Sequence, residues 1–515
     1  MYSLALVGLH DSESYGQLYT ATKCTSLYPQ PLPMGSRHVP ARTVLFEKEK
    51  NGVTYRVPAL LYIPRWLTLL AFAEERLSAD DAHANLLVLR RGIFYRNYVE
   101  WEDMHVVERA SLPGHRSMNP CPVYDDVTGQ LFLFFIAVLG RTTESYQINT
   151  GQNAARLCCV RSLDQGKSWT EVTDLTHKVI GESIKEWATF ALGPGHGIHL
   201  RNGRLIIPAY TYHIEKRHCF GSFCQTTARA FVFYSDDHGQ SWKLGDLIPN
   251  LQTVECQMVS VDEADGNNIL YCNARSSLGF RVQALSTNDG VVFEPGQLIE
   301  KLVETLTGCH GSVIGFPAPL HTLYSPCPDH HLTTQLKYQK VHTEVSESKN
   351  QQKTKGEAKH KYQSNSKLHQ WKCQTEDHQG LKETFYKTVP GVRNPTWVLY
   401  SHPTSARSRV NLGVYLSSYP RDADSWTGPW VIYEGPSAYS DLAYLGPPSG
   451  EESATGSLSV VIFACLYENG LISPYEQISF SIFTLYEVIQ NLTPNSAILL
   501  QTKMKHRRKE SCTMF

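Results

Sequence analysis

The sequence lacks the features that define several large classes of protein. No apolar run reaches the roughly 18 residues that a membrane-spanning helix needs, and residues 1–10 hold too few consecutive apolar side chains for a secretory leader. The 48 basic and 49 acidic side chains give a formal net charge of -1, which is no reason to expect a nucleic-acid partner. We therefore expect no signal peptide, no transmembrane helix and no nucleic-acid function.

The thirteen cysteines also lack a recognisable pattern. Their number is odd, and none of them forms the C-x-x-C pair that is typical of metal and redox motifs. Without a leader, the chain is expected to face a reducing compartment, where disulfides are rare. We therefore expect reduced thiols and no disulfide framework.

Helical periodicity is scarce, and short runs of strand length take its place. From Thr43 onward, apolar or aromatic runs are broken about every dozen residues by Gly, Pro, Asp or Asn, which are turn formers. Clear examples are the runs 131–136, 205–210, 231–234 and 269–271. This pattern predicts an all-β fold.

One eight-residue motif, Ser-x-Asp-x-Gly-x-x-Trp, recurs along the chain. Clear copies occupy 162–169 and 235–242, a degenerate copy occupies 286–293, and Asp424-Ser425-Trp426 resembles a remnant. The motif is typical of a tight hairpin. In that hairpin the Asp or Asn side chain accepts backbone N–H groups, Gly supplies a positive φ and the aromatic side chain packs beneath the turn. The copies begin at residues 162, 235 and 286, that is 73 and 51 residues apart, a spacing that suits four-stranded propeller blades.

Composition divides the chain into regions. Residues 1–42, rich in Ser, Tyr, Thr and Pro, are expected to form a loosely ordered extension, and 43–490 are expected to form the propeller. Residues 324–389 are dominated by Lys, Gln, Ser, Glu and His, which predicts a disordered insertion between blades because few side chains there can be buried. Residues 491–515 form a basic C-terminal tail.

Seven segments, together with the repeats, resemble the animal sialidases. These segments are 55–58, 69–76, 117–122, 193–197, 253–256, 273–276 and 439–442. The repeats are the Asp boxes of that family; they indicate fold and not activity, because they also occur in propellers that are not enzymes. The resemblance covers about 43–490 outside the insertion and implies a six-bladed β-propeller. Within the family, 112–116 and 179–191 look most like the vertebrate plasma-membrane ganglioside sialidase.

The resemblance identifies Arg56, Arg275 and Arg409 as a clamp for the carboxylate of sialic acid. Guanidinium groups suit this role because they bind a carboxylate bidentately and keep their charge. Arg407 lies two residues from Arg409, and only the match of 408–413 to the family selects between them. The plain alternative for a single arginine is a charged strand end that discourages aggregation.

The same resemblance implies that Tyr439 is the nucleophile, Glu255 its base and Asp81 the general acid and base. A neutral tyrosine avoids repulsion by the substrate carboxylate, but its usual pKa of about 10 calls for an adjacent base. Asp80 competes with Asp81, and on an extended loop the two side chains point opposite ways. Without the family match, these residues would be read as a packed aromatic, a solvated carboxylate and a loop residue.

Five further residues are expected to line or support the sugar site. Arg76, with Glu74, would orient the clamp, and Tyr210 and Tyr212 would share one face of a strand on the glycerol and N-acyl side of the sugar. Glu144 would lie on a loop over the sugar. The alternatives are ordinary sheet-face tyrosines and a solvated surface glutamate.

The C-terminus suggests a membrane attachment. Cys512-Thr513-Met514-Phe515 fits a loose C-a-a-X prenylation pattern, although Thr and Met are imperfect middle residues. A basic run precedes it, and a lipid plus a polybasic patch is the combination that gives stable anchoring. Phe220 and Phe223 are further candidates for contact with lipid.

These observations lead to one functional hypothesis with two alternatives. We expect an exo-α-sialidase that releases terminal α-linked sialic acid from glycoconjugates, in particular gangliosides, with retention through a tyrosyl-glycoside intermediate. No metal and no organic cofactor is expected; the partners would be sialylated glycolipids, glycoproteins and the surface of the plasma membrane or an endomembrane. A sialic-acid-binding propeller without turnover and a trans-sialidase are the alternatives.

Overall fold

The computed structural model describes residues 39–96, 98–215, 224–319, 394–447 and 461–492. Several predictions lie outside the described residues: nearly all of the N-terminal extension, the insertion at 324–389, and the tail from residue 493 with Cys512. Phe220 and Phe223 lie outside them as well. The first strand, β1 (Arg42–Glu47), begins one residue before the predicted start of the propeller.

The described strands form five antiparallel sheets, taken here as sheets I to V. Sheet I contains β2 (Thr54–Ile63), β3 (Thr68–Arg76), β4 (Ala84–Tyr95), β5 (Tyr98–Trp101) and β6 (His105–Val106). Sheet II contains β7 (His115–Asp125), β8 (Gln130–Leu139), β9 (Ala155–Ser162) and β10 (Thr173–Asp174). Sheet III contains β11 (Trp187–Leu192), β12 (Ile198–His199), β13 (Leu205–Ile214), β14 (Thr226–Ser235) and β15 (Lys243–Leu244).

Sheet IV contains β16 (Cys256–Asp262), β17 (Asn268–Ala274), β18 (Phe280–Ser286) and β19 (Gln297–Val303). Sheet V has seven strands: β20 (Ser312–Pro317), β21 (Thr396–Pro403), β22 (Val410–Ser417), β23 (Thr427–Tyr444), β24 (Ile462–Asn469), β25 (Gln477–Thr484) and β1. The 18-residue strand β23 pairs with β22 through 427–436 and with β24 through 437–444. Pairing of β1 with β25 joins the two ends of the described chain.

The sheets follow one another around a propeller-like ring. A closed circuit of contacts runs from β2 through β7, β13, β16, β20 and β23 and returns to β2. The described α-helices are two of seven residues each, α1 (Glu144–Thr150) and α2 (Leu485–Asn491). The structure therefore confirms the all-β prediction.

The core lies between the sheets, and strand β8 illustrates why. Phe132 and Phe134 pack with Trp242 on one side, whereas Leu133 and Phe135 belong to the cluster on the other side. A strand buried on both faces needs a continuous apolar sequence instead of an alternating one. The run 131–136 is therefore the signature of a strand between two packed neighbours.

The Asp boxes close the hairpins between the last two strands of their sheets and also join neighbouring sheets. In the first copy, Asp164 Oδ1 accepts the N–H of Ser168 at 2.8 Å, and Ser162 Oγ accepts that of Gly166 at 2.8 Å. Trp169 packs edge-on against Phe72 of sheet I, with the ring centroids 6.2 Å apart. The predicted structural role of the boxes is therefore confirmed.

The remnant at 424–426 keeps only part of this design. Trp426 is buried and packs against Tyr271 of sheet IV, just as Trp169 and Trp242 pack on the sheet that precedes their own. The turn differs, because Asp422 caps the short helix Ala423–Ser425 by accepting the N–H of Asp424 at 2.9 Å.

The structure bears on two further expectations, that the thiols are reduced and that no helix spans a membrane. Seven buried cysteines carry free thiols, but Cys224 is disulfide-bonded, so the expectation of reduced thiols fails at that position. Among the described residues, no helix has the length and apolar character needed to cross a bilayer.

Candidate active site

The predicted site residues meet at one end of the ring. Arg56 is near the start of β2, and Arg76 ends the antiparallel neighbour β3, so both side chains lie at the same end of sheet I. Glu255 immediately precedes β16, and Arg275 immediately follows its neighbour β17. Tyr439, in the middle of β23, completes the group with Arg409, which precedes β22.

Tyr439 and Glu255 form a buried hydrogen-bonded pair. The Tyr439 hydroxyl donates to Glu255 Oε1, and Arg275 Nη1 donates to Glu255 Oε2 at 2.7 Å and to the phenolic oxygen at 3.2 Å. Burial favours a neutral Glu255, but the charge of Arg275 outweighs it and lowers the pKa of the carboxyl. Glu255 is therefore a proton acceptor already in contact with the hydroxyl that needs one.

Burial and the Glu255 charge raise the pKa of Tyr439 well above 10. A neutral hydroxyl is the form that donates to a carboxylate, and it presents no negative charge to an anionic ligand. His310 lies against the Tyr439 ring, with ring centroids 5.5 Å apart, and burial lowers its pKa to about 4. Positive charge around Tyr439 therefore comes from the arginines and not from this histidine.

Arg56 is held by a carboxylate that motif reasoning missed. Its Nε donates to Glu468 Oε1 at 2.8 Å, and the same carboxylate accepts the N–H of Val57 at 2.9 Å and of Tyr439 at 3.1 Å. The guanidinium also lies 3.9 Å from the ring centroid of Tyr475. Glu468 thus fixes Arg56 relative to Tyr439, and no local motif marks either Glu468 or Tyr475.

The structure places Arg409, and not Arg407, in the cluster. Arg409 Nη2 donates to the carbonyl of Gly308 at 2.9 Å and Nη1 donates to Tyr475 Oη at 3.1 Å, while its guanidinium lies 5.3 Å from the Tyr439 ring centroid. Arg407 is exposed. The three arginines that were predicted to form a clamp therefore converge with Tyr439 from three sheets.

Gly308 lies between two of these arginines. Its φ of +70° is one that side-chain-bearing residues rarely adopt, and a Cβ here would overlap the Nε of Arg275. The loop that carries Gly308 is anchored by Glu304, which accepts from Arg281 Nη1 at 2.7 Å and from the N–H of Cys309 at 3.1 Å. Although burial opposes it, the Arg281 charge lowers the pKa of Glu304 to about 2, so the anchor is ionic.

Asp81 and Asp80 separate as an extended loop requires. Asp81 accepts from Arg76 Nη1 and lies 3.9 Å from Arg56 Nη1, and its side chain is 71% exposed. Asp80 turns away and caps the helical turn Asp81–His83, accepting the N–H of Ala82 at 2.8 Å. Asp81 is thus the carboxylate that faces the arginines.

Arg76 connects Asp81 to the buried Glu74. Arg76 Nε donates to Glu74 Oε2 at 2.8 Å, and Glu74 Oε1 accepts the N–H of Asn119 at 2.6 Å. Reduced hydration acts to raise the pKa of Asp81, but the charges of Arg76 and Arg56 outweigh it and lower the pKa. Two arginines therefore favour the ionised form of Asp81, although each of them is also paired with a buried carboxylate, Arg76 with Glu74 and Arg56 with Glu468.

Tyr210 and Tyr212 project from one face of β13, and the first of them reaches Glu144. The centroids of the two rings are 6.2 Å apart and the ring planes meet at 74°. Tyr210 Oη donates to Glu144 Oε1 at 3.1 Å. Glu144 is the first residue of α1. Reduced hydration, with repulsion from Glu255, raises the pKa of Glu144 to about 7.

A second polar cluster lies beneath the site and ties the ring together. The buried Asp441 accepts at Oδ1 from His196 Nδ1 at 2.8 Å, Gln257 Nε2 at 2.7 Å and Ser312 Oγ at 2.9 Å, and at Oδ2 from the N–H of Leu60 at 2.7 Å. These donors come from four sheets. Asp441 was within a recognised segment, but nothing in that segment predicted its partners.

The segment 193–197, which superficially resembles a dinucleotide loop, belongs to this cluster. It supplies His196 to Asp441, and a Cβ on Gly195 would overlap the side chain of Gln257. The glycine is therefore explained by close packing, not by phosphate binding. Within the described ranges, no group of three or more His, Cys, Asp or Glu side chains is arranged to hold a metal ion.

Fold and site together define the class of the protein: an all-β propeller-like glycosidase whose arginines suit an anionic sugar. A family model described as a BNR repeat-like domain matches residues 67–307. Sialidase-4 of Mus musculus is 49% identical over 494 residues, covering 89% of this chain and 96% of the relative. Sialidase-3 of Mus musculus is 42% identical, covering 87% and 95%.

A solved structure named Hadza microbial sialidase Hz136 superposes with a TM-score of 0.57 at 18% identity, covering 87% of this chain and 69% of that one. This likeness extends the agreement in fold beyond close relatives. The chain belongs to the vertebrate sialidase family and is a glycoside hydrolase.

Proposed function

We propose that this chain is an exo-α-sialidase that hydrolyses terminal α-linked sialic acid with net retention of configuration. The observation that carries the proposal is the buried contact of the Tyr439 hydroxyl with Glu255, beside Arg275. A protein that only binds sialic acid needs the arginines but has no use for a nucleophile with its own base. The nearby Asp81 supplies the third group that the reaction requires.

In the first half of the reaction, Arg56, Arg275 and Arg409 bind the substrate carboxylate. The phenolic oxygen of Tyr439 bonds to the anomeric carbon while the bond from that carbon to the leaving oxygen breaks. Glu255 takes the phenolic proton, and Asp81 gives its proton to the leaving oxygen. The product of this half is a tyrosyl glycoside and a free aglycone.

In the second half, water attacks the anomeric carbon of the tyrosyl glycoside. Asp81 takes a proton from the water, and the phenolic oxygen departs and regains its proton from Glu255. Two displacements on the same carbon give net retention. A sugar hydroxyl in place of water would give transfer, which is the trans-sialidase alternative.

The acid role requires a proton on Asp81, whose pKa, against the effect of reduced hydration, is lowered by the charges of Arg76 and Arg56. A substrate carboxylate on Arg56 would cancel part of that charge, and a weaker positive field raises the pKa of a carboxyl. Substrate binding would therefore promote protonation of the acid that the first half needs.

The decisive experiment follows the reaction by proton NMR. With a sialyl-oligosaccharide as substrate, the α-anomer of free sialic acid should appear first and then mutarotate. First appearance of the β-anomer would overturn retention, and bound substrate without product would favour the non-catalytic alternative. Adding a galactoside acceptor separates hydrolysis from transfer.

We further propose that the ring has six blades and spans about 43–490, interrupted by the insertion at 324–389. Counting sheet V as two blades that share β23 turns five sheets into six units. The circuit of contacts through six strands supports the same count. In this arrangement β1 would complete the last blade by pairing with β25, the last described strand.

Glu144 should make ligand binding depend on pH. Its pKa of about 7 means that it gains negative charge as the pH rises through 7, and that charge would repel an anionic sugar. We expect the dissociation constant of sialic acid to increase several-fold from about pH 6 to about pH 8. In Glu144→Gln the dissociation constant should change much less over the same pH range, and titration calorimetry measures it. If the dissociation constant depends on pH equally in both proteins, Glu144 is not the source of the pH dependence.

For the substrate we propose gangliosides at a membrane surface, with Cys512 as a lipid-attachment site. Support comes from exposed apolar side chains on two loops that also hold Arg409: Leu306 is 83% exposed, Leu471 87% and Ile472 91%. The second loop is rigid, because the carboxylate of Glu476 accepts the N–H groups of 471–473. Rigid, exposed aliphatic tips around a site suit contact with lipid.

The double change Leu471→Ser and Ile472→Ser should therefore lower turnover of ganglioside in lipid vesicles several-fold while leaving kcat/KM for soluble sialyllactose unchanged. A matched control is Leu163→Ser, because Leu163 is 74% exposed at the opposite end of the ring. Equal ganglioside turnover in all three proteins would rule out these tips. Intact-mass analysis of the protein from cells tests Cys512, and an unmodified thiol there would remove the lipid anchor.

A further inference from the structure

Arg116 is a buried arginine whose guanidinium faces main-chain carbonyls instead of the substrate site. It is the second residue of β7 and is only 7% exposed. Its Nη1 donates to the carbonyl of Asp81 at 2.5 Å, its Nε donates to that of Gly140 at 2.8 Å, and its Nη2 donates to that of Thr142. One planar cation thus binds the backbone of two loops.

The two loops carry different parts of the site. The Asp81 carbonyl belongs to the residue whose carboxylate faces Arg76 and Arg56. Gly140 and Thr142 belong to the segment that enters α1, where Thr143 is the N-cap and Glu144 the first residue. Because Glu144 accepts from Tyr210, the second loop borders the tyrosine side of the site.

Arg116 is not a fourth arginine of the carboxylate clamp. The remaining contact of Nη1 is with Met118 Sδ at 3.1 Å, so the donors that the structure describes point to carbonyls and sulfur. Burial lowers the pKa of Arg116, yet an arginine keeps its charge, and a charged donor makes stronger hydrogen bonds than a neutral one. The positive charge of Arg116 therefore strengthens its hydrogen bonds to the backbone carbonyls.

We propose that Arg116 is a positioning residue that sets the backbone of Asp81 relative to the Glu144 segment. This inference rests on the proposed role of Asp81 as the general acid. The Asp81 side chain is largely exposed, so its position depends on Arg76 at the carboxylate and on Arg116 at the carbonyl. Without Arg116, the carboxylate stays near Arg76 but loses its fixed distance to the leaving oxygen.

The test compares two substrates that differ in their need for an acid. A sugar leaving group, as in sialyllactose, needs a proton, whereas the leaving group of a nitrophenyl sialoside departs without one. For Arg116→Met we expect kcat/KM on sialyllactose, which reports the first half of the reaction, to fall about 10²-fold, the cost of a misplacement near 1 Å. We expect kcat/KM on the nitrophenyl sialoside to fall much less, and Arg116→Lys to lie between Arg116→Met and the wild type on sialyllactose.

Arg91→Met is the matched control, because Arg91 is also buried, on β4, and also donates to a carbonyl, that of Asp164 in an Asp box. Arg91→Met should lower kcat/KM for both substrates by the same factor or leave both unchanged. Equal losses on both substrates in Arg116→Met, or in Arg116→Lys if the methionine variant does not fold, would overturn the inference. Asp81→Asn reports on the proposed function separately: if it shows no selective loss on sialyllactose, Asp81 is not the acid, whatever Arg116 does.

Discussion

Tyr439→Phe should reduce kcat by about 10⁴-fold to 10⁶-fold, the range seen when single members of a catalytic triad are removed. The change deletes one oxygen atom, which is the atom that would bond to the anomeric carbon, and leaves the ring between Arg56 and Arg409 in place. Because the arginines keep their supports on Glu468 and Gly308, sialic acid should still bind with nearly the wild-type dissociation constant. Stopped-time assays measure kcat, and titration calorimetry measures the dissociation constant.

Tyr433→Phe provides the matched control. Tyr433 is also buried in the ring, and its hydroxyl donates to the carbonyl of Gly470 at 2.9 Å, away from Glu255. It should lose some stability but keep its turnover number. Turnover near the wild-type value in Tyr439→Phe would remove Tyr439 from the role of nucleophile, and loss of sialic-acid binding there would show that the hydroxyl organises the clamp.

Asp441→Ala should have the largest effect on stability, lowering the free energy of unfolding by about 3–5 kcal/mol. The change leaves four buried donors from four sheets without their shared acceptor: His196, Gln257, Ser312 and the N–H of Leu60. Buried donors without partners are costly because water cannot replace the lost acceptor. The midpoint of chemical denaturation, followed by tryptophan fluorescence, measures the loss.

A surface aspartate shows whether the effect is specific. Asp265 is exposed in a turn, where it accepts the N–H of Asn267 at 3.1 Å, and Asp265→Ala should change stability by well under 1 kcal/mol. If Asp441→Ala unfolds at the same denaturant concentration as Asp265→Ala, the cluster beneath the site does not hold the sheets together.

The fold class could be predicted because its signals are local. A strand buried on both faces requires an apolar run such as that of 131–136, and an Asp box requires its residues within eight positions. The joining of two sets of strands through β23 could not be predicted, since nothing within 427–444 marks the residue at which pairing passes from β22 to β24. The short helix at 423–425, which takes the place of an Asp-box turn, could not be predicted either.

The site could be predicted only where its residues lie in recognisable segments. Arg56, Glu255, Arg275 and Tyr439 each stand in such a segment, and the structure brings them into contact. Glu468 and Tyr475 stand in segments without a motif, although both contact the Arg56 guanidinium. Their role depends on a separation of more than 400 residues along the chain between Arg56 and Glu468, which no local pattern reports.

The sequence by itself determined the all-β class, the positions of the Asp boxes and the segments that carry the arginines, the tyrosine and the acids. The class and the boxes are properties of a few consecutive residues, whose burial or turn geometry dictates their types, whereas the segments were found through their resemblance to the animal sialidases. The resemblance to the family selected Asp81 over Asp80 and Arg409 over Arg407, and only the tertiary structure decided how they are placed: Asp80 caps a turn, Asp81 lies beside Arg56, and Arg409 lies beside the Tyr439 ring. It also assigned Glu468, Asp441 and Arg116 their partners, because those contacts exist only once distant strands are brought together by the closed ring.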